Sequence, residues 1–163
     1  LKMIRNLLPL LLCVLLFSCS ENVVKTEYKA TEGGQWGKEN VMKFTFSGMD
    51  TIQKNDIFIN IRNDASYPYS NLFLIAELTF PNGETVKDTL EYEMALPDGQ
   101  WLGQGNGSLK ESKLWYKENI VFPSSGVYTL QLSQAMRQNG NTAGVEHLEG
   151  ITDVGYQIEK SKK

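Results

Sequence analysis

The chain has almost no cysteine. Of its 163 residues only Cys13 and Cys19 carry a thiol, and both lie near its start. The body of the chain therefore has no disulfide framework, no cysteine-ligated metal site and no cysteine nucleophile. Histidine is scarcer still. His147 is the single one, so a histidine-based triad or a zinc site would have to use it. It stands in Glu146-His147-Leu148-Glu149 beside a predicted loop, with no nucleophile elbow in the chain, and reads as a solvated loop residue. No lysine or arginine cluster occurs outside Lys160, Lys162 and Lys163, which argues against nucleic acid as a partner. Gly103-Gln104-Gly105-Asn106-Gly107 has neither a following helix pattern nor a Lys-Ser pair, so it is no phosphate loop. Asp88 to Glu93 is acidic but lacks calcium-loop spacing, and Glu91 and Glu93 read as one solvated strand face. No catalytic residue, metal or cofactor is expected.

Long apolar runs are also missing, with one exception. Leu7 to Phe17 is continuous but for Pro9 in its apolarity, and Lys2 and Arg5 precede it. A signal-peptide core takes about 7–15 residues, whereas a spanning helix needs about 20. The run ends Leu16-Phe17-Ser18-Cys19. An aliphatic residue three before a cysteine and a small residue just before it are what lipoprotein processing requires. Phe17 is bulkier than the usual occupant. The cysteine is needed because its thiolate accepts the diacylglyceryl group. Cleavage before Cys19 then frees an amine for a further acyl chain such as palmitate. Two or more chains anchor stably, since each buried methylene contributes about 0.8 kcal/mol. Residues 1–18 are thus read as a signal peptide, 19–35 as a lipidated tether and 36–163 as the folded domain. The chain carries a net −3 and its leader +2, which leaves −5 on the mature part.

Past the leader, the period is 2 rather than 3.6. Ser20 to Lys29 is polar and thin in apolar residues, as a tether would be. Gly33-Gly34-Gln35-Trp36 opens the domain, with Trp36 expected on an edge. Val41–Phe46 alternates, and Ile57, Ile59 and Ile61 alternate with Phe58, Asn60 and Arg62. Leu72–Phe80 is nearly continuous and predicts a central strand. Pro81-Asn82-Gly83-Glu84 then turns the chain into Thr85–Tyr92, a hairpin. Leu96-Pro97-Asp98-Gly99 is a second turn, and Trp101–Gly107 is irregular. Leu114–Phe122, Val127–Ser133 and a last segment around Val154, Tyr156 and Ile158 complete the strands. Strands parted by turns predict an all-β fold, a single antiparallel β-sandwich, jelly-roll-like or immunoglobulin-like. For contacts with a protein partner or a glycan the aromatics stand out: Tyr67, Tyr69, Trp101, Trp115 and Tyr116. Tyr67-Pro68-Tyr69-Ser70-Asn71 is expected to be the most exposed of these segments.

An ordered series of motifs carries a resemblance. Tyr67-Pro68-Tyr69-Ser70-Asn71-Leu72-Phe73-Leu74 is followed by Thr79-Phe80-Pro81-Asn82-Gly83 and Lys87-Asp88-Thr89-Leu90-Glu91-Tyr92. Next come Pro97-Asp98-Gly99-Gln100-Trp101-Leu102-Gly103 and Trp115-Tyr116-Lys117-Glu118-Asn119. Ser133-Gln134-Ala135-Met136-Arg137 and Leu148-Glu149-Gly150-Ile151-Thr152-Asp153-Val154-Gly155 close the series. In these blocks the chain resembles the gliding-motility lipoproteins GldH of Bacteroidetes. The resemblance implies a lipid on Cys19 and a role in gliding motility and the linked type IX secretion machinery. It implies the membrane and other envelope motility or secretion proteins as partners. Relatives occur in bacteria that do not glide, so secretion support or envelope maintenance is the broader expectation. A carbohydrate- or peptidoglycan-binding envelope lipoprotein is the alternative. Asp50-Thr51-Ile52 and Asp88-Thr89-Leu90 resemble the O-glycosylation acceptor of the same phylum, which marks Thr51 and Thr89. One acid follows the cysteine in Ser20-Glu21-Asn22, fewer than a surface-export tag carries, so the periplasmic leaflet of the outer membrane is expected. The intact mass of detergent-extracted protein is expected to show cleavage before Cys19 plus acyl chains. Cys19→Ala is expected to remove the acyl mass and release the protein from the membrane.

Overall fold

A computed structural model describes residues 22–162. The signal peptide and Cys19 lie outside the described residues. The described residues form ten strands and no helix. They are β1 (Val23–Ala30), β2 (Gln35–Gly37), β3 (Met42–Phe46), β4 (Lys54–Asn63), β5 (Asn71–Thr79), β6 (Thr85–Glu93), β7 (Lys110–Val121), β8 (Tyr128–Gln134), β9 (His147–Glu149) and β10 (Ile151–Lys160). One antiparallel sheet runs β1-β10-β4-β7, and a second runs β3-β8-β5-β6. The short β2–β9 pair stands apart from both.

Period-2 sequence explains the layering. Ile57, Ile59 and Ile61 of β4 and Val154, Tyr156 and Ile158 of β10 are buried on one face of the first sheet. Facing them are Phe44 and Phe46 of β3, Leu130 and Leu132 of β8, and Leu72 and Leu74 of β5. Phe44 and Phe46 meet Tyr156 across the core at 5.3 and 5.4 Å between ring centroids. A strand displays alternate side chains on opposite faces, so each of these runs delivers one apolar face to the same layer.

With the two three-residue strands set aside, the sheets read first-eighth-third-sixth and second-seventh-fourth-fifth in chain order. This is the strand order of a jelly roll, which settles the choice left open by the strand pattern. Only β5 and β6 form a hairpin within one sheet. Their turn is closed by Gly83 N donating to Phe80 O and Phe80 N donating to Glu84 O, at 2.9 and 2.8 Å. Every other connection between the eight main strands crosses between the sheets. The crossings divide the molecule into two ends. At one end lie the start of β1, the end of β10 and the loops 47–53, 80–84 and 122–127. At the other lie the longer connections 31–41, 64–70, 94–109 and 135–150.

Three elements differ from the sequence reading. The expected tether of residues 19–35 includes β1, an edge strand paired with β10 from Val23↔Glu159 to Ala30↔Asp153. Its apolar signal is thin because an edge strand covers only the margin of the core. Its anchor is Tyr28, which stands opposite Gly155. A Cβ on Gly155 would lie 2.7 Å from the Tyr28 ring and 2.5 Å from Glu27 O, so only glycine lets the ring lie across β10. Trp36, expected on an edge, is fully buried, and its Nε1 donates to Asn40 O at 2.8 Å. The β2–β9 pair, with Trp36 opposite Leu148, brings it into the core. The polar segment Gln134–Glu149 contributes β9, so His147 lies on a short strand, exposed, rather than in a loop.

Removing a buried Trp or Phe side chain costs about 3–5 kcal/mol, whereas most surface changes cost below about 0.5 kcal/mol. Trp36→Ala is therefore expected to lower the denaturation midpoint of the mature protein far more than Trp115→Ala, whose site is 55% exposed. Equal losses in chemical denaturation would contradict the burial of Trp36.

Candidate functional site

The five aromatic residues singled out in the sequence occupy three separate places. Tyr67, Tyr69 and Trp101 gather at the end of the sandwich that carries the long loops. Tyr67 meets Tyr69 edge-on at 5.8 Å and Trp101 at 6.1 Å. Tyr67 is not exposed as its segment suggested. It is 3% accessible, and its hydroxyl donates to Asn71 O at 2.6 Å. Burial pushes that hydroxyl well above the ordinary tyrosine pKa. Gly150 makes the burial possible. It sits at φ +80°, and a Cβ there would run into the Tyr67 backbone. Tyr69 and Trp101 are partly exposed above it. Hydrogen bonds from Met94 N and Ala95 N to Ser70 O, at 2.7 and 3.1 Å, hold the 94–102 turn against the 67–71 segment.

Tyr116 lies in the seam where edge strand β6 of one sheet meets edge strand β7 of the other. Tyr116 Oη donates to Asp88 Oδ2 at 2.9 Å, and Lys117 Nζ binds the same oxygen at 2.8 Å. Tyr92 Oη donates to Trp115 O at 2.6 Å. The Lys117 hydrogen bond, with help from Tyr116, holds the Asp88 carboxyl below the usual carboxylate range. Burial, with the Asp88 charge, pushes Tyr92 up to about 12. Tyr116 is raised as well, by burial first and then by its hydrogen bond to Asp88.

Trp115 stands on the outer face of the first sheet, across from Phe58, with ring centroids 4.4 Å apart. Lys113 Nζ lies 4.1 Å over the Phe58 ring and pairs with Glu159 Oε1 at 2.6 Å. A hollow of about 390 Å³ opens beside Trp115, with Asp56, Lys113, Glu118 and Glu159 on its rim. Asp56 is already engaged by Asn119 N at 2.9 Å and Ser161 Oγ at 2.6 Å. The φ of +53° at Asn119 suits asparagine better than most residues.

The same face holds residues that the sequence pattern gave no reason to select. Tyr28 from β1 crosses Gly155 and donates to Glu111 Oε1 of β7 at 3.0 Å. Its oxygen accepts from Asn60 Nδ2 at 2.9 Å. Arg62 lies over the Tyr28 ring at 4.2 Å and donates from Nε to Glu111 Oε2 at 2.7 Å. One tyrosine thus laces all four strands together. Alternation marked Phe58, Asn60 and Arg62 only as the second face of β4. Their cover comes from residues far away in the chain.

Thr51 and Thr89 are both exposed, Thr51 in a bend and Thr89 on the outward face of β6. His147 borders a shallow hollow with Lys38 and Glu146. Among the described residues no group of three His, Cys, Asp or Glu is placed to hold a metal ion. The chemistry on display is stacking, hydrogen bonding and charge pairing.

The seam has a pH signature. A carboxyl held below its unfolded pKa of about 3.9 contributes stability above that pH and loses it as pH falls through the lower folded value. The wild type is expected to lose denaturation midpoint as pH drops below about 4. Asp88→Asn is expected to lose less over the same interval, while starting lower at pH 7. Parallel pH profiles for the two proteins would remove Asp88 as the cause.

Comparison with known proteins follows the same strands. The GldH lipoprotein family matches residues 23–158, from the first residue of β1 nearly to the end of β10. The chain is 51% identical over 148 residues to the gliding motility lipoprotein GldH homolog of Christiangramia forsetii, covering 91% of this chain and 90% of that protein. It is 47% identical over 151 residues to the gliding motility lipoprotein GldH of Flavobacterium johnsoniae, covering 93% of each. Among solved structures, a chain of infectious bursal disease virus Gx strain is similar at a TM-score of 0.38 and 12% identity, over 87% of this chain and 30% of that one. A CocE/NonD family hydrolase from Staphylococcus aureus is similar at 0.32 and 11%, over 85% and 33%. This chain spans about a third of those two, and similarity at that level carries no argument. Match and identity both run through the whole sandwich, and the chain belongs to the GldH lipoprotein family.

Proposed function

We propose that this protein is a non-enzymatic component of gliding motility and of the type IX secretion linked to it, acting as a docking module on the membrane. The observation that carries the reading is identity near one half, over nine-tenths of the chain, to two proteins named for gliding motility. As a GldH lipoprotein it is anchored to a membrane of the cell envelope. The periplasmic leaflet of the outer membrane fits the single acid in Ser20-Glu21-Asn22. Loops at the end carrying Tyr69 and Trp101 suit contact with other envelope motility or secretion proteins, because partly exposed aromatics over a buried Tyr67 are preorganised for docking.

A second reading, glycan binding, is favoured by one observation. Trp115 is 55% exposed beside a hollow rimmed by carboxylates and lysine, a setting in which a sugar ring can stack and hydrogen-bond. Trp115→Ala would abolish retention on cell-wall material in that case and leave it unchanged otherwise.

Deletion of the gene, complemented by wild type or Cys19→Ala, tests the main reading. Loss of surface spreading and of secreted proteins, restored by wild type alone, is the expected result. An unchanged secreted proteome in the deletion strain would remove the secretion role, and unchanged spreading the motility role.

A further inference from the structure

The distance between the proposed lipid and the sandwich is very short. Val23 already pairs with Glu159, and Asn22 O accepts from Lys160 N at 2.9 Å, so the folded domain begins at Asn22. Three residue steps separate Cys19 from Asn22. A fully extended chain covers at most about 3.6 Å per residue, so Asn22 stays within about 11 Å of the cysteine that bears the lipid. In the lipidated protein the end of the sandwich where β1 starts and β10 finishes therefore stays within reach of the bilayer surface.

The two most exposed large apolar side chains of the described residues lie at that end. Ile52 is 86% accessible and Val127 59%, and Val121 at the end of β7 is 40% accessible. Ile52 does not lie on a loose loop. Asp50 Oδ1 accepts from Ile52 N at 2.8 Å and from Gln53 N at 3.1 Å, an Asx turn that holds the side chain outward. Those two backbone donors keep the Asp50 carboxyl below its ordinary range. Ile52, Lys54 and Lys162 border a single hollow with Ser161, which places the 47–53 loop beside the end of β10. Lysines next to apolar side chains match the headgroup layer, where phosphates meet the first methylenes.

We propose that this end of the sandwich is a membrane-seating surface. Ile52 and Val127 enter the headgroup layer, and Lys54, Lys160 and Lys162 lie against the phosphates. The proposal rests on the lipid at Cys19 and goes beyond it, because the acyl chains alone would leave the domain free to tumble. Seating sets the strands upright. Ten residues of β10 at about 3.3 Å each then carry the Tyr69–Trp101 end roughly 33 Å away from the bilayer. The partner-facing loops gain a defined height.

The mature chain has no free thiol once Cys19 carries its lipid, so a single introduced cysteine can be labelled cleanly. Ile52→Cys, Val127→Cys and Asn141→Cys, the last on an opposite-end loop, would each carry a polarity-sensitive dye. Full-length lipidated protein would be reconstituted in phosphatidylethanolamine–phosphatidylglycerol vesicles containing nitroxide-headgroup lipid. Emission at positions 52 and 127 is expected to shift to the blue and be quenched at least threefold more than at 141. Acylated protein that floats with the vesicles but shows equal quenching at all three positions overturns the seating alone. A mass without acyl groups on Cys19 overturns the lipid reading and the seating with it. A glycan mass on Thr51, next to Ile52, also overturns the seating, since it would hold that side chain off the lipid.

Discussion

The antiparallel ladder between β1 and β10 is the constraint on which the rest of the structure depends. It joins the first described strand to the last, closes one margin of the first sheet and brings both ends of the sandwich chain together. The ladder is possible because residue 155 is glycine. With any larger residue there, the Tyr28 ring could not lie across β10 to reach Asn60 and Glu111. Its consequences extend to the membrane. Because pairing begins at Val23, four residues after Cys19, the register sets how near the sandwich would stand to the proposed lipid.

The opposite margin of the sandwich is closed by polar groups. Leu90 and Tyr92 of β6 and Leu114, Tyr116 and Ile120 of β7 are only partly buried against the core there. Asp88, Tyr116, Lys117 and Tyr92 bridge the two strands with hydrogen bonds and one ion pair. A half-exposed pair of this kind contributes little by Coulomb attraction alone. Its value here is directional. It holds Trp115 on the outer face, because the carbonyl that Tyr92 binds belongs to Trp115 itself. The same bridge thus closes the core and presents the aromatic beside the hollow.

The surfaces divide by end. At one end, short loops expose Ile52 and Val127. At the other, long loops carry Tyr69 and Trp101 over the buried Tyr67. A jelly roll produces this asymmetry naturally, since alternate crossings between sheets fall at opposite ends and can differ in length without disturbing the core. The proposed membrane seat and the proposed partner-facing loops thus fall at opposite ends of the fold.

Sequence by itself determined the β class, the main strands and most of the core. Wherever a strand has one buried face, as in β3, β4, β8 and β10, alternation of apolar residues reports it directly. The ordered series of family motifs is an equally local signal. What lay beyond it were properties that depend on residues far apart in the chain. Tyr28 reads as part of a polar tether until Gly155, Asn60 and Glu111 are brought beneath it. Trp36 follows two glycines and looks marginal until β9 folds over it. Tyr67 sits in a proline-containing segment that suggests the surface, and is buried because Gly150 leaves room for its backbone. In each case the deciding partner is separated by tens of residues or more. Only the tertiary structure decides such positions, because burial is a property of the neighbours that folding supplies.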